Sequence, residues 1–154
     1  MKNHLSLVLV STLALGCATQ QAAVVVGPAA TVRDSAHGIE FSRAELCVLA
    51  AIDGKQIPTS IEASLRNSGY GKLRATVIER KVAAQPMKAT IACRSASVRP
   101  FDYSRKVTGV VSFEPKADTL YVVNGSIGEE RVSVWIENAE TKERVSSEIV
   151  NNQP

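Results

Sequence analysis

The chain has 154 residues, 45% of them hydrophobic and 21% charged, with a formal net charge of +3. That balance excludes overall disorder, and the length allows one domain with a real core rather than two. Aromatic residues make up only 5%, so the core has to be built mostly from Val, Ile, Leu and Ala.

Met1 to His4 is a short basic start, Leu5 to Leu15 an apolar run broken by Ser6, Ser11 and Thr12, and Gly16-Cys17 closes it. Such a run is too short to cross a hydrocarbon core, which takes roughly 20 helical residues, and reads as a secretory signal peptide. Leu13-Ala14-Leu15-Gly16-Cys17-Ala18 resembles the lipobox of bacterial lipoproteins. Gly16 and Cys17 are as that motif requires, whereas Ala14 and Leu15 stand where it usually has leucine and a small residue. The resemblance implies cleavage before Cys17, acylation of Cys17 with palmitate-type chains, and a protein held at a membrane surface. Two or more such chains anchor stably where one binds reversibly. Ala18, rather than Asp, after the cysteine implies sorting to the outer membrane, facing the periplasm. The plainer alternative is an ordinary secretory signal with Cys17 incidental. Parity favours acylation, because removing Cys17 from the three cysteines leaves Cys47 and Cys93 as an even pair.

Residues 18–37 read as a tether: small and polar, with one apolar burst at Val24-Val25-Val26 before the turn-forming Gly27-Pro28. The valines have an edge strand as their alternative. The folded domain is expected over residues 38–150, followed by a tail over 151–154. Glu45 to Ile52 is an apolar strand running into Asp53-Gly54, a hairpin signal because both turn positions favour positive φ. Thr59 to Gly69 carries Ile61 and Leu65 four apart, the spacing of one short helix. Lys72 to Val82 alternates, as does Met87 to Cys93, where Met87, Ala89, Ile91 and Cys93 share a face. Further strands are predicted over Val107 to Phe113, Thr119 to Asn124, Arg131 to Glu137 and Arg144 to Val150.

About seven short strands and at most one short helix predict an all-β fold, a small antiparallel β-sandwich. The run ending Ile52-Asp53-Gly54-Lys55, the stretch from Phe113 to Thr119-Leu120-Tyr121, and Val134-Trp135-Ile136-Glu137-Asn138 resemble a group of small bacterial lipoproteins. Their domains are similar to PEGA-type β-sandwiches. The resemblance supports the fold and brings no activity with it. The group's Pro-Gly-x-His turn is absent, with Gln85-Pro86-Met87-Lys88 in its place.

In an exported chain, Cys47 and Cys93 are expected to form a disulfide. A catalytic dithiol would want the Cys-x-x-Cys spacing, which is missing. His4 leaves with the leader and His37 falls at the tether boundary, so no serine or cysteine nucleophile has a placed histidine. No zinc-ligand cluster or phosphate-binding loop is visible, and Gly69-Tyr70-Gly71-Lys72 is too short for one. No enzyme activity, cofactor or metal is therefore expected. From Arg66 to Lys106 ten basic residues face two acidic ones, and from Ser112 onward eight acidic residues face four basic ones. The charges either interleave on a solvated face or form a basic surface for an anionic partner. An exported location argues against nucleic acid. Arg94, Arg99, Arg105 and Lys106 are the candidate partner contacts, with Trp135 either in a second core layer or at an exposed contact. The expected role is that of an envelope lipoprotein with a structural or protein-interaction function. The alternative is a periplasmic module binding an anionic envelope polymer or glycolipid.

Overall fold

A computed structural model describes residues 25–99 and 105–152. The leader, Cys17, residues 18–24 and the loop with Pro100 and Asp102 lie outside the described residues.

Two sheets pack face to face. The first runs in the order β10 (Ile149–Asn152), β9 (Arg131–Asn138), β8 (Leu120–Ile127), β1 (Ala29–Arg33), β5 (Glu79–Ala83). The second runs β2 (Ser35–His37), β3 (Arg43–Ile52), β6 (Met87–Ser97), β7 (Lys106–Phe113), with β4 (Lys55–Gln56) also on β3. Neighbours are antiparallel except β1 and β8, which run parallel. The all-β sandwich expected from the sequence is the fold.

Period-two alternation builds the core between the sheets. Val32, Val123, Val132, Val134 and Ile136 face Leu49, Ala89, Ile91, Val107 and Val111, all fully buried or nearly so. Each such side chain contributes about 1.5–3 kcal/mol on leaving water, so a core poor in aromatics suffices. Phe113 and Tyr121 form an aromatic contact in it, edge to face at 5.0 Å. The second sheet is covered on its outer side too, by the helix α1 (Ser60–Asn67): Ala44, Leu46, Val48, Ile61, Leu73 and Ala96 are buried there. Burial on both faces is why Leu-Cys-Val-Leu-Ala-Ala in β3 is continuously apolar.

Local chemistry sets the turns. Asp53 and Gly54 have φ of 48° and 78°, the two-residue hairpin turn read from Asp-Gly. Thr59 and Glu62 form a capping box at the helix start, each side chain accepting from the other's backbone N–H, at 3.3 and 3.1 Å.

Three expectations are corrected. The domain does not begin at residue 38: β1 and β2 lie in what was read as tether, with Ala30 and Val32 in the core. The strand expected over Lys72 to Val82 starts only at Glu79. Its first half turns its backbone to the helix instead, Thr76 N–H donating to Ser64 Oγ and Ile78 N–H to Ser60 Oγ, both at 2.8 Å. The last strand spans Ile149–Asn152, reaching into the expected tail. Before it, Ser146 Oγ accepts the Ile136 N–H at 2.9 Å, so the chain touches β9 without a regular ladder.

Between β1 and β2 the chain changes sheets at Asp34, whose side chain is wholly buried. Its Oδ1 accepts from Leu49 N–H at 3.0 Å. Its Oδ2 accepts from Ser60 N–H, Ser60 Oγ–H and Arg80 Nη2 at 3.2, 2.7 and 3.0 Å. Arg80 also donates to the carbonyls of Leu49 and Pro58, at 2.8 and 3.2 Å. One carboxylate thus ties both sheets to the helix N-terminus. A charge in that position is tolerated because four donors replace its water.

Candidate functional site

Cys47 and Cys93 stand directly opposite each other on β3 and β6 and are joined by a disulfide. The bond lies inside the core and faces Gly125 of the other sheet. A Cβ on Gly125 would lie 2.9 Å from Cys47 Sγ, 3.1 Å from Cys93 Sγ, and against the Ser133 carbonyl oxygen. The glycine leaves the room the sulfurs occupy.

The basic segment does not gather into one surface. Arg94 and Lys106 are register partners on β6 and β7. Arg94 Nε is buried with no partner among the described residues. Arg105 is exposed and reaches across to the Gly128 carbonyl of the first sheet at 3.3 Å. Arg99 is exposed, its N–H on Ser97 Oγ. Arg80 is spent on Asp34, Lys81 on Thr31 Oγ1 and Lys88 on Ser112 Oγ. Alternation along the strands disperses the charge.

Trp135 sits on the outer face of the first sheet, remote in topology from Arg94 and Lys106 on the second. It is neither core nor bare. The Arg144 guanidinium covers its ring at 3.9 Å, and its Nε1–H donates to Glu137 Oε2 at 2.8 Å. Glu137, only 7% exposed, accepts on its other oxygen from Asn124 Nδ2 at 3.0 Å. That fixes the Asn124 amide with Oδ1 toward His37, whose Nε2–H donates to it at 3.0 Å. His37 is therefore held on β2 by a chain of side chains, not loose at a tether boundary.

The sheet change at Asp34 opens a notch of about 470 Å³ beside this chain. Arg33, His37 and Lys142 line it over Val77 and Val122. Neither Arg33 nor Lys142 is in an ion pair among the described residues. Arg33 and His37 are four apart on one stretch and Lys142 comes from the turn after β9, a juxtaposition that composition windows miss. The notch suits a small anion. Both Glu137 oxygens are already bonded, and no cluster of three metal-ligating side chains occurs among the described residues.

A different opening lies at the free edge of β5. Ile52, Ile57, Val82 and Met87 line a groove of about 370 Å³ that enters the sandwich between β5 and the β3–β4 hairpin. Asp34 N–H donates to Ile78 O and Ala84 N–H to Pro28 O. Strand alternation therefore turns residues 78, 80, 82 and 84 toward β1 and the backbone of Glu79 and Lys81 outward. No strand pairs with that outer edge among the described residues. Apolar pockets beside an unpaired edge accept an extended peptide, the backbone giving affinity and alternate side chains selectivity.

No family model matches this chain, and no curated protein or solved structure matches it either.

Proposed function

We propose that this chain is an acylated envelope lipoprotein whose sandwich captures an extended apolar segment of another envelope protein on the edge of β5. The observation that carries the reading is the groove, where an unpaired strand edge lies beside core side chains. The leader and Cys17 support the anchor, and the buried disulfide suits an oxidising compartment. The protein works by binding, at the outer membrane and facing the periplasm.

Two experiments test it. Cys17→Ser is expected to abolish incorporation of labelled fatty acid, and persistent labelling refutes the anchor. A photocrosslinker at Lys81 in intact cells is expected to trap one defined protein, while the same group at Val110 on β7 traps none. Equal or absent adducts at both positions refute the groove as the docking site.

The Arg33–His37–Lys142 notch favours a second reading, a module for an anionic envelope polymer or glycolipid. Replacing Arg33 and Lys142 together by Gln would then lower binding to purified polymer and its dependence on salt. Unchanged, salt-insensitive binding removes this reading.

A further inference from the structure

Around the turn after α1, the chain breaks a local rule without an internal gain. Gly69 and Lys72 exchange backbone hydrogen bonds of 3.2 and 3.0 Å, closing a two-residue turn. Its central residues, Tyr70 and Gly71, have φ of 53° and 72°. Turns with two positive φ angles favour Asn, Asp or Gly, and a bulky aromatic side chain is strained there. Tyr70 recovers nothing by contact within the chain, because its side chain is fully exposed at 107%. Strain held at an exposed residue points outward, to something the residue meets.

The neighbours share that character. Leu73 N–H donates to Phe41 O at 2.8 Å, which brings the segment before β3 against the turn. Phe41 is 66% exposed and Ile39 61%. Phe41 and Tyr70 line one shallow depression with Lys72 and Arg74, and Lys72 Nζ lies 5.9 Å from the Phe41 ring centre. Arg66, in the last turn of α1, adds a third exposed cation. Arg66, Lys72 and Arg74 are in no ion pair among the described residues. Of the acids nearby, Glu40 pairs with Arg43 at 3.5 Å and Glu62 serves the helix cap, while Glu45 lies behind Gly38.

We infer that Ile39, Phe41 and Tyr70, rimmed by Arg66, Lys72 and Arg74, dock on the headgroup layer of an anionic lipid bilayer. Aromatic side chains settle at the membrane–water boundary, where ring and polar end are both satisfied, and free cations are drawn to anionic headgroups. Charge complementarity selects this occupant over a second copy of the chain, whose like patch would repel it. The inference rests on the membrane-held reading only for how the patch is delivered to a bilayer. Ala29 and the patch lie at opposite ends of the β1–β2 run, about 30 Å long at strand spacing. Residues 17–28 reach at most roughly 40 Å. The domain can therefore lie along the bilayer with both attachments made.

The test uses the full-length acylated protein reconstituted in vesicles, with Trp135→Phe to silence the native fluorophore and Tyr70→Trp as the reporter. In phosphatidylglycerol-containing vesicles, the emission is expected to shift to the blue and to be quenched by brominated lipid. In phosphatidylcholine alone, or with Arg66, Lys72 and Arg74 all changed to Gln, the docked fraction relative to the free should fall about a hundredfold. Phe41→Trp is the second reporter should Tyr70→Trp fail to fold by circular dichroism. Unquenched emission from a folded reporter in anionic vesicles overturns the proposal. So does quenching indifferent to lipid charge and to the three cations. A protein crosslink from this patch in cells, with no quenching on vesicles, assigns the surface to a protein partner and overturns it equally. Fatty-acid labelling reports the anchor separately. A labelled protein with an unquenched patch sinks only this inference, and an unlabelled protein with a quenched patch sinks only the anchor.

Discussion

Along one flank of the sandwich, Ile149 of β10 rests on Gly109 of β7, so closely that a Cβ there would stand 2.7 Å from Ile149 Cγ2. The Asn151 amide donates to the Lys106 carbonyl beside it at 3.0 Å. Along the opposite flank, only one end is shut. Asp34 and Arg80 clamp it where the chain changes sheets, and beyond them Ile52, Ile57, Val82 and Met87 line an open groove. The two flanks teach how a small sandwich is sealed. Apolar contact closes one side at close range, and a buried ion pair closes the other locally, leaving the remainder open.

Removing the clamp should have the largest effect. Asp34→Ala strands four donors, the Arg80 guanidinium among them, and a loss of about 3–5 kcal/mol is expected on urea denaturation. A loss under about 1 kcal/mol, the size of an exposed pair, would show that the flank is held by something else. Next comes the closed flank. Gly109→Ala is expected to cost about 1–3 kcal/mol by overpacking against Ile149. The double change with Ile149→Ala should recover part of that, giving a positive coupling in a double-mutant cycle. Purely additive losses would mean that the two residues do not share the contact.

The open flank should respond in binding instead. Lys81→Pro removes an outward N–H that no ladder uses, and proline is tolerated on such edges. Its stability should stay within about 1 kcal/mol of the parent, while crosslinking from a photocrosslinker moved to Glu79, on the same outer edge, is lost. Retained crosslinking would separate capture from the strand edge. The smallest expected change is on the outer face of the first sheet. Trp135→Phe keeps a ring for Arg144 but deprives Glu137 of one donor, a loss of about 1 kcal/mol in thermal unfolding.

The strongest local rules were the most legible. Asp53-Gly54 announced its hairpin, and the alternation of Met87, Ala89, Ile91 and Cys93 placed one face of β6 in the core. β1 was hidden because Ala-Ala-Thr-Val-Arg has a single large apolar residue and follows Gly27-Pro28, which reads as the end of a spacer. Leu73 to Ile78 kept the alternation of a strand, yet two serines of α1 took its backbone groups, and periodicity carries no sign of that competition. Asp34 looked like any loop acid. Only the meeting of four separate segments shows why it is charged and dry. The surface features divided similarly: the strand phase of Trp135 was legible, whereas the notch made by Arg33, His37 and Lys142 depends on the sheet change.

Placing the first described strand inside a sheet, between β8 and β5, has a kinetic consequence. Thr31 pairs with Lys81 on one side and Leu120 on the other, so β1 must wait for chain that lies much later in the sequence. Until then its edges and Val32 are bare. Non-local pairings of this kind fold slowly and leave strands open to wrong partners meanwhile. β3 meets β6 at about the same sequence separation as β1 meets β5, well before β8 is reached, and the bond between Cys47 and Cys93 would keep that half assembled while β1 awaits β8.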